Sequence, residues 1–174
     1  NLGSHYRSSV ALAIAVAAHF GVPEKKIIKI LSSFRGLPGR QEIIGPFHGI
    51  YFVNDTTSTV PEATNAALLR FRQKAEDKKL ILICGGQDKN LNFTALGKLI
   101  SQIADACILL PGSATKKLKE VLHARHFSLP LYLVTSMKEA VTTAHHLAQK
   151  GDWIVLSPGA ASFGLFKNEF DRGD

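Results

Sequence analysis

From residue 41 onward the sequence alternates short apolar runs with longer amphipathic segments, and this alternation is the feature that most constrains the fold. Short apolar runs bounded by turn residues are typical of buried strands, and the longer segments are typical of helices. The predicted strands are Glu42 to Ile44, Ile50 to Val53, Leu80 to Cys84, Ala106 to Leu110, Leu131 to Val134 and Trp153 to Leu156, and the predicted helices are Pro61 to Gln73, Thr94 to Ile103, Ala114 to Ala124 and Met137 to Lys150. The alternation predicts an α/β fold with a Rossmann-like, doubly wound and mostly parallel sheet, covered by helices on both faces.

The first 40 residues follow a different pattern. Ser8 to Phe20 is rich in Ala, Val and Ile and stops at Gly21-Val22-Pro23, and a second helical stretch runs from Pro23 to Phe34. The loop that follows, residues 35–40, contains two glycines and a proline, which indicates a boundary near Arg40. We therefore expect a helical segment over residues 1–40 and an α/β domain over residues 41–174.

Composition limits the classes of function. The chain has 174 residues, of which 45% are hydrophobic, enough to form the core of one domain. No apolar run approaches the ~20 residues of a membrane span, and the N-terminus lacks the features of a signal peptide, so we expect a cytoplasmic protein with no membrane partner. The net charge of +7 suits an anionic partner, but the basic residues are scattered without interleaved aromatics, which argues against nucleic acid.

Three predicted strands end in clusters of small and polar residues. The clusters are VNDTTST at 53–59, ILICGGQDKN at 81–90 and LSPGAAS at 156–162. Small residues leave backbone N–H groups and hydroxyls accessible to an anion. Because ligands of doubly wound sheets bind beyond the carboxyl ends of the strands, we expect one shared site.

Asp55 and Lys89 are the charged residues of these clusters with the clearest chemistry. Asp55 precedes four hydroxyl residues, where a carboxylate could hold Mg²⁺ through water or orient a nucleotide. An Asx-turn combined with a helix N-cap explains Asp55 equally well. Lys89 follows a double glycine that would let the backbone approach a ligand, and its ammonium suits a carboxylate or a phosphate, although an exposed loop lysine is the simpler interpretation.

The remaining sequence motifs argue against several kinds of catalytic or metal site. Cys84 and Cys107 lie in apolar runs and are expected to be buried thiols. The pairs His123/His126 and His145/His146 have no nearby carboxylate or thiol to complete a metal site. Ser162 is not in a G-x-S-x-G turn and is expected to donate a hydrogen bond rather than act as a nucleophile, and no phosphate-binding P-loop occurs.

Several short motifs, taken in order, resemble the C-terminal portion of the Mur ligases, and within that family the branch that adds D-glutamate. The matching pieces are Gly3-Ser4-His5, Gly36-Leu37-Pro38-Gly39-Arg40-Gln41-Glu42, Asn54-Asp55-Thr56, Gly85-Gly86 with Asp88-Lys89, Ser157-Pro158 through Ser162, Phe166-Lys167-Asn168 and Arg172-Gly173. The resemblance covers nearly the whole chain. One departure is Thr57, which stands where the family often has a lysine.

The resemblance implies an ATP-dependent acid–D-amino-acid ligase of peptidoglycan synthesis. In such an enzyme ATP, with Mg²⁺, phosphorylates the carboxylate of UDP-N-acetylmuramoyl-L-alanine, and the D-glutamate amine attacks the acyl phosphate. Carried onto this sequence, Lys89 would pair with a D-glutamate carboxylate, and Thr59 and Ser162 would donate hydrogen bonds to it. Phe170 would also bind the amino acid, and Arg40 and Asp55 would face the nucleotide.

The resemblance also implies how the chain fits into a larger enzyme. Residues 1–40 would be the tail of the central ATPase domain, and residues 41–174 would be the amino-acid-binding domain, truncated at its end. The P-loop and the metal ligands would lie in the central domain, so we expect this chain alone to be inactive and the enzyme to be a monomer. Two alternatives stay open: another amino-acid ligase of the superfamily, such as a folylpolyglutamate synthase-like enzyme, and a non-catalytic anion-binding module.

Overall fold

The structure, a computed structural model, describes residues 6–124, 128 and 130–174. The predictions that concern Gly3-Ser4-His5 and His126 lie outside the described residues. The chain divides into two compact units, Asn1–Leu37 and Pro38–Asp174.

The first unit contains two helices, α1 (Arg7–His19) and α2 (Glu24–Ser33), close to the predicted bounds. Gly21, just beyond the C-terminal end of helix α1, adopts a φ of 71°. The N–H of Gly21 donates to Ala18 O and that of Val22 donates to Ala17 O, which together form a Schellman motif. Neither helix contains a buried residue, so this pair of helices has no core of its own among the described residues.

The second unit is a six-stranded sheet with helices between the strands. Its elements are β1 (Glu42–Phe47), β2 (Ile50–Asn54), α3 (Pro61–Ala75), β3 (Leu80–Gly85), α4 (Thr94–Ile103), β4 (Ala106–Leu110), α5 (Ser113–Ala124), β5 (Leu131–Leu133), α6 (Met137–Leu147), β6 (Trp153–Leu156) and α7 (Glu169–Gly173). The strand order is β1-β2-β6-β3-β4-β5; β1 pairs antiparallel with β2, and the other neighbouring strands pair in parallel. The predicted doubly wound α/β fold is confirmed.

The two faces of the sheet are covered by different helices. In β3, Leu80, Leu82 and Cys84 belong to a core shared with α3, α4 and α5, whereas Ile81 and Ile83 belong to a second core shared with α6. This placement follows from a constant crossover hand, because the chain moves outward from β3 to β5 and then returns to β6. Cys84 and Cys107 are buried free thiols, as predicted.

The position of β6 determines where the functional segments meet. Strand β6 pairs with β2 through Tyr51↔Trp153 and with β3 through Leu80↔Trp153, so it lies between them. The carboxyl ends of these three parallel strands are therefore neighbours. Each is followed by one of the polar clusters identified in the sequence, at residues 55–59, 86–90 and 157–162.

Candidate functional site

The three polar strand ends form one continuous surface held by main-chain hydrogen bonds. The N–H of Gly85 donates to Pro158 O over 2.8 Å, and the N–H of Gly159 donates to Ser58 O over 2.8 Å. Gln87 and Ala161 exchange a pair of main-chain bonds of 2.9 and 3.0 Å. The segment after β6 thus joins the segments after β2 and β3, as expected from the sequence.

The double glycine, Gly85-Gly86, allows the main chains of these segments to pack closely. A Cβ on Gly86, whose φ is 134°, would overlap the carbonyl oxygen of Ala161. A Cβ on Gly85 would overlap the hydroxyl of Thr115. The sequence suggested that the glycines allow the backbone to approach a ligand, whereas in the structure they let protein segments approach one another.

Asp55 is the buried centre of the surface, with 3% of its area exposed. Its Oδ1 accepts the N–H of Gln41 over 2.9 Å, and its Oδ2 accepts the hydroxyls of Ser58 over 2.5 Å and Ser157 over 2.7 Å. Burial raises the pKa of the carboxyl, opposed by these hydrogen bonds and by the charge of Arg40. Both oxygens of Asp55 are therefore engaged within the protein.

The Asx-turn and N-cap interpretations of Asp55 are both wrong. The Asx-turn is made one residue earlier, where the N–H of Thr56 donates to Asn54 Oδ1 over 3.1 Å. Helix α3 begins after Val60, which provides no side-chain cap. Instead, Asp55 joins the segments that follow β2 and β6 to the loop that precedes β1.

Arg40 lies on a loop that is fixed on both sides of it. Thr57 donates its hydroxyl to Gly39 O over 2.8 Å and its N–H to the same oxygen over 3.1 Å. On the other side, Gln41 is held by Asp55, as described above. The side chain of Arg40 itself is exposed. Thr57 thus anchors the Arg40 loop at the position where the family often has a lysine.

The structure brings together two of the predicted amino-acid-binding residues. Lys89 is exposed, and its Nζ donates to Thr59 Oγ1 over 3.3 Å. Ser162 is buried and follows Ala161, which pairs with Gln87. Within the described part of the chain, the Ser162 hydroxyl makes no hydrogen bond. Lys89 and Thr59 therefore provide an ammonium and a hydroxyl side by side.

Phe170, the fourth predicted amino-acid-binding residue, is exposed. It belongs to the short helix α7 and is 57% exposed. Asn168 caps this helix by accepting the N–H groups of Phe170 and Asp171. The structure thus presents an accessible aromatic ring on this helix.

Arg172 is a central residue that the sequence patterns did not single out. It is 2% exposed, and its guanidinium donates to Thr56 O over 2.6 Å, to Thr56 Oγ1 over 3.2 Å and to Ala160 O over 3.0 Å. Desolvation lowers its pKa to about 10, against the opposing effect of Glu169, so Arg172 stays charged at neutral pH. It joins the segment after β2 to the segment after β6. In the sequence, Arg172 was noted only as part of the Arg172-Gly173 pair that resembles the Mur ligases.

Replacing Asp55 by alanine is expected to lower the free energy of unfolding by about 3 kcal/mol or more, because three buried donors lose their acceptor. Asp55→Asn is expected to cost less, since its amide keeps one carbonyl oxygen and the serine hydroxyls can rotate. Urea unfolding of the 174-residue chain measures both losses. Equal losses for the two variants would contradict the acceptor role.

The pH dependence of stability, compared between wild type and Asp55→Asn, tests the raised pKa of Asp55. Folding raises the Asp55 pKa above its ordinary value of 3.8, so the folded state holds the proton to higher pH than the unfolded chain does. As the pH falls from above the folded-state pKa of Asp55 to its ordinary value, wild type is expected to gain stability relative to Asp55→Asn. The difference between their unfolding free energies at each pH removes the contributions of other carboxylates. A flat difference would show that the carboxyl titrates normally.

Two features of the described residues bear on the predicted classes of function. The described residues contain no group of three or more His, Cys, Asp or Glu side chains arranged to hold a metal ion. Within the same residues, every helix is too short or too polar to cross a bilayer.

Sequence comparisons identify relatives of the chain. A family model described as "Mur ligase, glutamate ligase domain" matches residues 39–159. The UDP-N-acetylmuramoylalanine–D-glutamate ligase of Roseiflexus sp. (strain RS-1) is 39% identical over 173 residues, which are 99% of this chain and 36% of that protein. The protein of the same name from Borreliella afzelii (strain PKo) is 36% identical over 178 residues, 99% of this chain and 38% of its own length. The chain therefore spans less than half of these relatives.

Solved structures of low sequence identity share the fold. UDP-N-acetylmuramate-alanine ligase from Thermotoga maritima superposes with a TM-score of 0.73 at 18% identity, covering 92% of this chain and 35% of that one. Folylpolyglutamate synthase from the same organism gives a TM-score of 0.62 at 19% identity, covering 91% and 37%. The family match extends over most of the second unit, including the segments after β2 and β3. The chain belongs to the Mur ligase family.

Proposed function

We propose that this chain is the amino-acid-binding part of a ligase that joins D-glutamate to UDP-N-acetylmuramoyl-L-alanine in peptidoglycan synthesis. The observation that carries the proposal is the Lys89–Thr59 pair, where an exposed ammonium lies 3.3 Å from a hydroxyl at the edge of three strand ends. A carboxylate is recognised by a cation with neutral donors beside it. The relatives named D-glutamate ligases supply the identity of the amino acid.

The proposed roles of the site residues follow from their positions. Lys89 binds a carboxylate of D-glutamate, with Thr59 and Ser162 as hydroxyl donors, and the exposed ring of Phe170 packs against the amino acid. Holding the carboxylate fixes the direction of the amine, which must reach the activated carbon of the acceptor. Orientation of the incoming amino acid is therefore the proposed contribution of this part of the enzyme to catalysis.

ATP and Mg²⁺ have a more limited place in the proposal. When bound, ATP supplies the phosphoryl group that activates the acceptor carboxylate. The exposed cation of Arg40 is suited to phosphate charge. Asp55 does not fit a metal, because both of its oxygens accept hydrogen bonds from the protein. We assign Asp55 an indirect role toward the nucleotide, through Gln41 and the loop that presents Arg40.

The proposed domain arrangement places residues 1–40 at the end of the central ATPase domain and residues 41–174 in the amino-acid-binding domain. The division of the chain after Leu37 and the family match from residue 39 support this arrangement. The helices of the first unit bury no residue, which is consistent with their being part of a larger domain.

A phosphate-release assay on the full-length parent enzyme tests the proposal. We expect phosphate only when ATP, Mg²⁺, D-glutamate and UDP-N-acetylmuramoyl-L-alanine are all present, and none from the 174-residue chain alone. Omitting each substrate in turn is the control. Turnover with a different amino acid or acceptor, but not with these, would assign the parent to another branch of the superfamily. A folded parent that releases no phosphate with any amino acid would leave only the binding module.

A further inference from the structure

Lys89 lies at the tip of a turn that the neighbouring Asp88 closes. Asp88 Oδ1 accepts the N–H of Leu91 over 2.9 Å, and Asn90 between them adopts a φ of 59°. The Asp88 side chain is only 7% exposed, whereas Lys89 faces solvent. The carboxylate of Asp88 therefore holds the turn in the conformation that orients the Lys89 side chain toward solvent.

Helix α5 holds this turn by two contacts. Lys117 forms an ion pair with Asp88 Oδ2, and the hydroxyl of Ser113 accepts the N–H of Asp88 over 2.9 Å. The hydrogen bond from Lys117, followed by that from Leu91, keeps the pKa of Asp88 below its ordinary value, so the carboxylate stays charged. Both the main chain and the side chain of Asp88 are thus attached to one rigid element.

The same helix also holds the segment that carries Ser162. Ser113 donates its hydroxyl to Gln87 Oε1 over 2.8 Å, and Gln87 pairs through its main chain with Ala161, the residue before Ser162. Displacement of the first turn of α5 would therefore move the segments of Lys89 and Ser162 together.

We propose that Lys117 of α5 is a positioning residue for amino-acid binding: through its ion pair with Asp88 it fixes the turn that presents Lys89. This inference rests on the proposed function for the identity of the ligand, although the positional link is a property of the chain itself. Ion pairs near the surface contribute little to global stability. The effect is therefore expected in the order of the turn and in the affinity for the amino acid, rather than in the melting temperature.

The positional link is tested first, without any substrate. In the 174-residue chain, Lys117→Met keeps the aliphatic stem and removes the charge. We expect the amides of Asp88 and Leu91 to exchange with deuterium roughly tenfold faster, because the turn opens more often. Lys116→Met is the matched control, since Lys116 is the exposed neighbour of Lys117 on the same helix. Unchanged exchange at both amides in Lys117→Met would overturn the proposal.

The functional consequence is measured in the full-length parent. Lys117→Met is expected to raise KM for D-glutamate about fivefold to tenfold, with kcat and the KM values for the other two substrates changed less than about twofold, because only the placement of one binding cation is affected. Lys117→Arg and Lys116→Met should both keep KM for D-glutamate close to the wild-type value.

The outcomes separate the inference from the proposed function. A wild-type parent that does not use D-glutamate removes the proposed ligand, while the exchange experiment still decides whether Lys117 fixes the turn. A wild-type parent that uses D-glutamate, together with an unchanged KM in Lys117→Met, rejects the positioning role. A rise in all three KM values or a fall in melting temperature also rejects it, because those changes indicate general loss of structure.

Discussion

Replacing Arg172 by methionine is expected to lower the free energy of unfolding of the 174-residue chain by about 2 to 4 kcal/mol. The substitution removes the guanidinium N–H groups that donate to the main-chain carbonyl oxygens of Thr56 and Ala160. These two oxygens would then lack their hydrogen-bond donors in a buried region. Relief of the desolvation that lowers the Arg172 pKa offsets part of this loss. Urea unfolding followed by circular dichroism measures the change.

Two further variants define the cause of that loss. Arg172→Lys keeps the charge but replaces a planar fork of donors by a single ammonium, so its stability should fall between those of wild type and Arg172→Met. Lys167→Ala removes an exposed charge from the same segment and should change the unfolding free energy by less than about 0.5 kcal/mol. If Arg172→Met were as stable as Lys167→Ala, the guanidinium would not be joining the two segments.

Replacing Lys89 by alanine is expected to raise KM for D-glutamate in the full-length parent about 10- to 150-fold, the loss of a charge-assisted contact of about 1.5 to 3 kcal/mol. Folding should be little affected, because the side chain is exposed and its only side-chain hydrogen bond among the described residues is with Thr59. Steady-state kinetics with D-glutamate varied and the other substrates saturating measure the effect.

Controls distinguish loss of this contact from loss of charge in general. Lys98→Ala removes an exposed lysine from α4 and should leave KM for D-glutamate unchanged. Thr59→Val keeps the size of the side chain and should raise KM less than Lys89→Ala does, since it removes a neutral donor. Unaltered D-glutamate kinetics in Lys89→Ala would remove this residue from the binding site.

The sequence predicted the elements of the sheet well because β3 and β4 are buried on both faces and read as continuous apolar runs. Strand β1 was predicted to end at Ile44, but it continues to Phe47 through Gly45 and Pro46. It is an edge strand, where a proline is tolerated because one side of the strand is unpaired. The place of β6 between β2 and β3 depends on pairing between residues about 70 to 100 positions apart, which no local pattern reports.

The candidate site was predicted in part. Placing the polar clusters at one edge followed from the general location of ligands in such sheets, and the contact between Lys89 and Thr59 agrees with it. The surroundings of Asp55 could not be predicted, because two of its donors, Gln41 and Ser157, are distant in sequence. Arg172 was missed because a charged residue within a short polar helix gives no signal that it is buried.

The main-chain bonds between the strand ends have a consequence for substitutions at this edge. Because the pairing of Gln87 with Ala161 and of Gly159 with Ser58 uses backbone atoms, most side chains at this edge are free to change without separating its three segments. Substitutions of those side chains would therefore leave the frame of the three strand ends in place. The fold itself is shared with the alanine ligase and the folylpolyglutamate synthase, which are less than 20% identical to this chain.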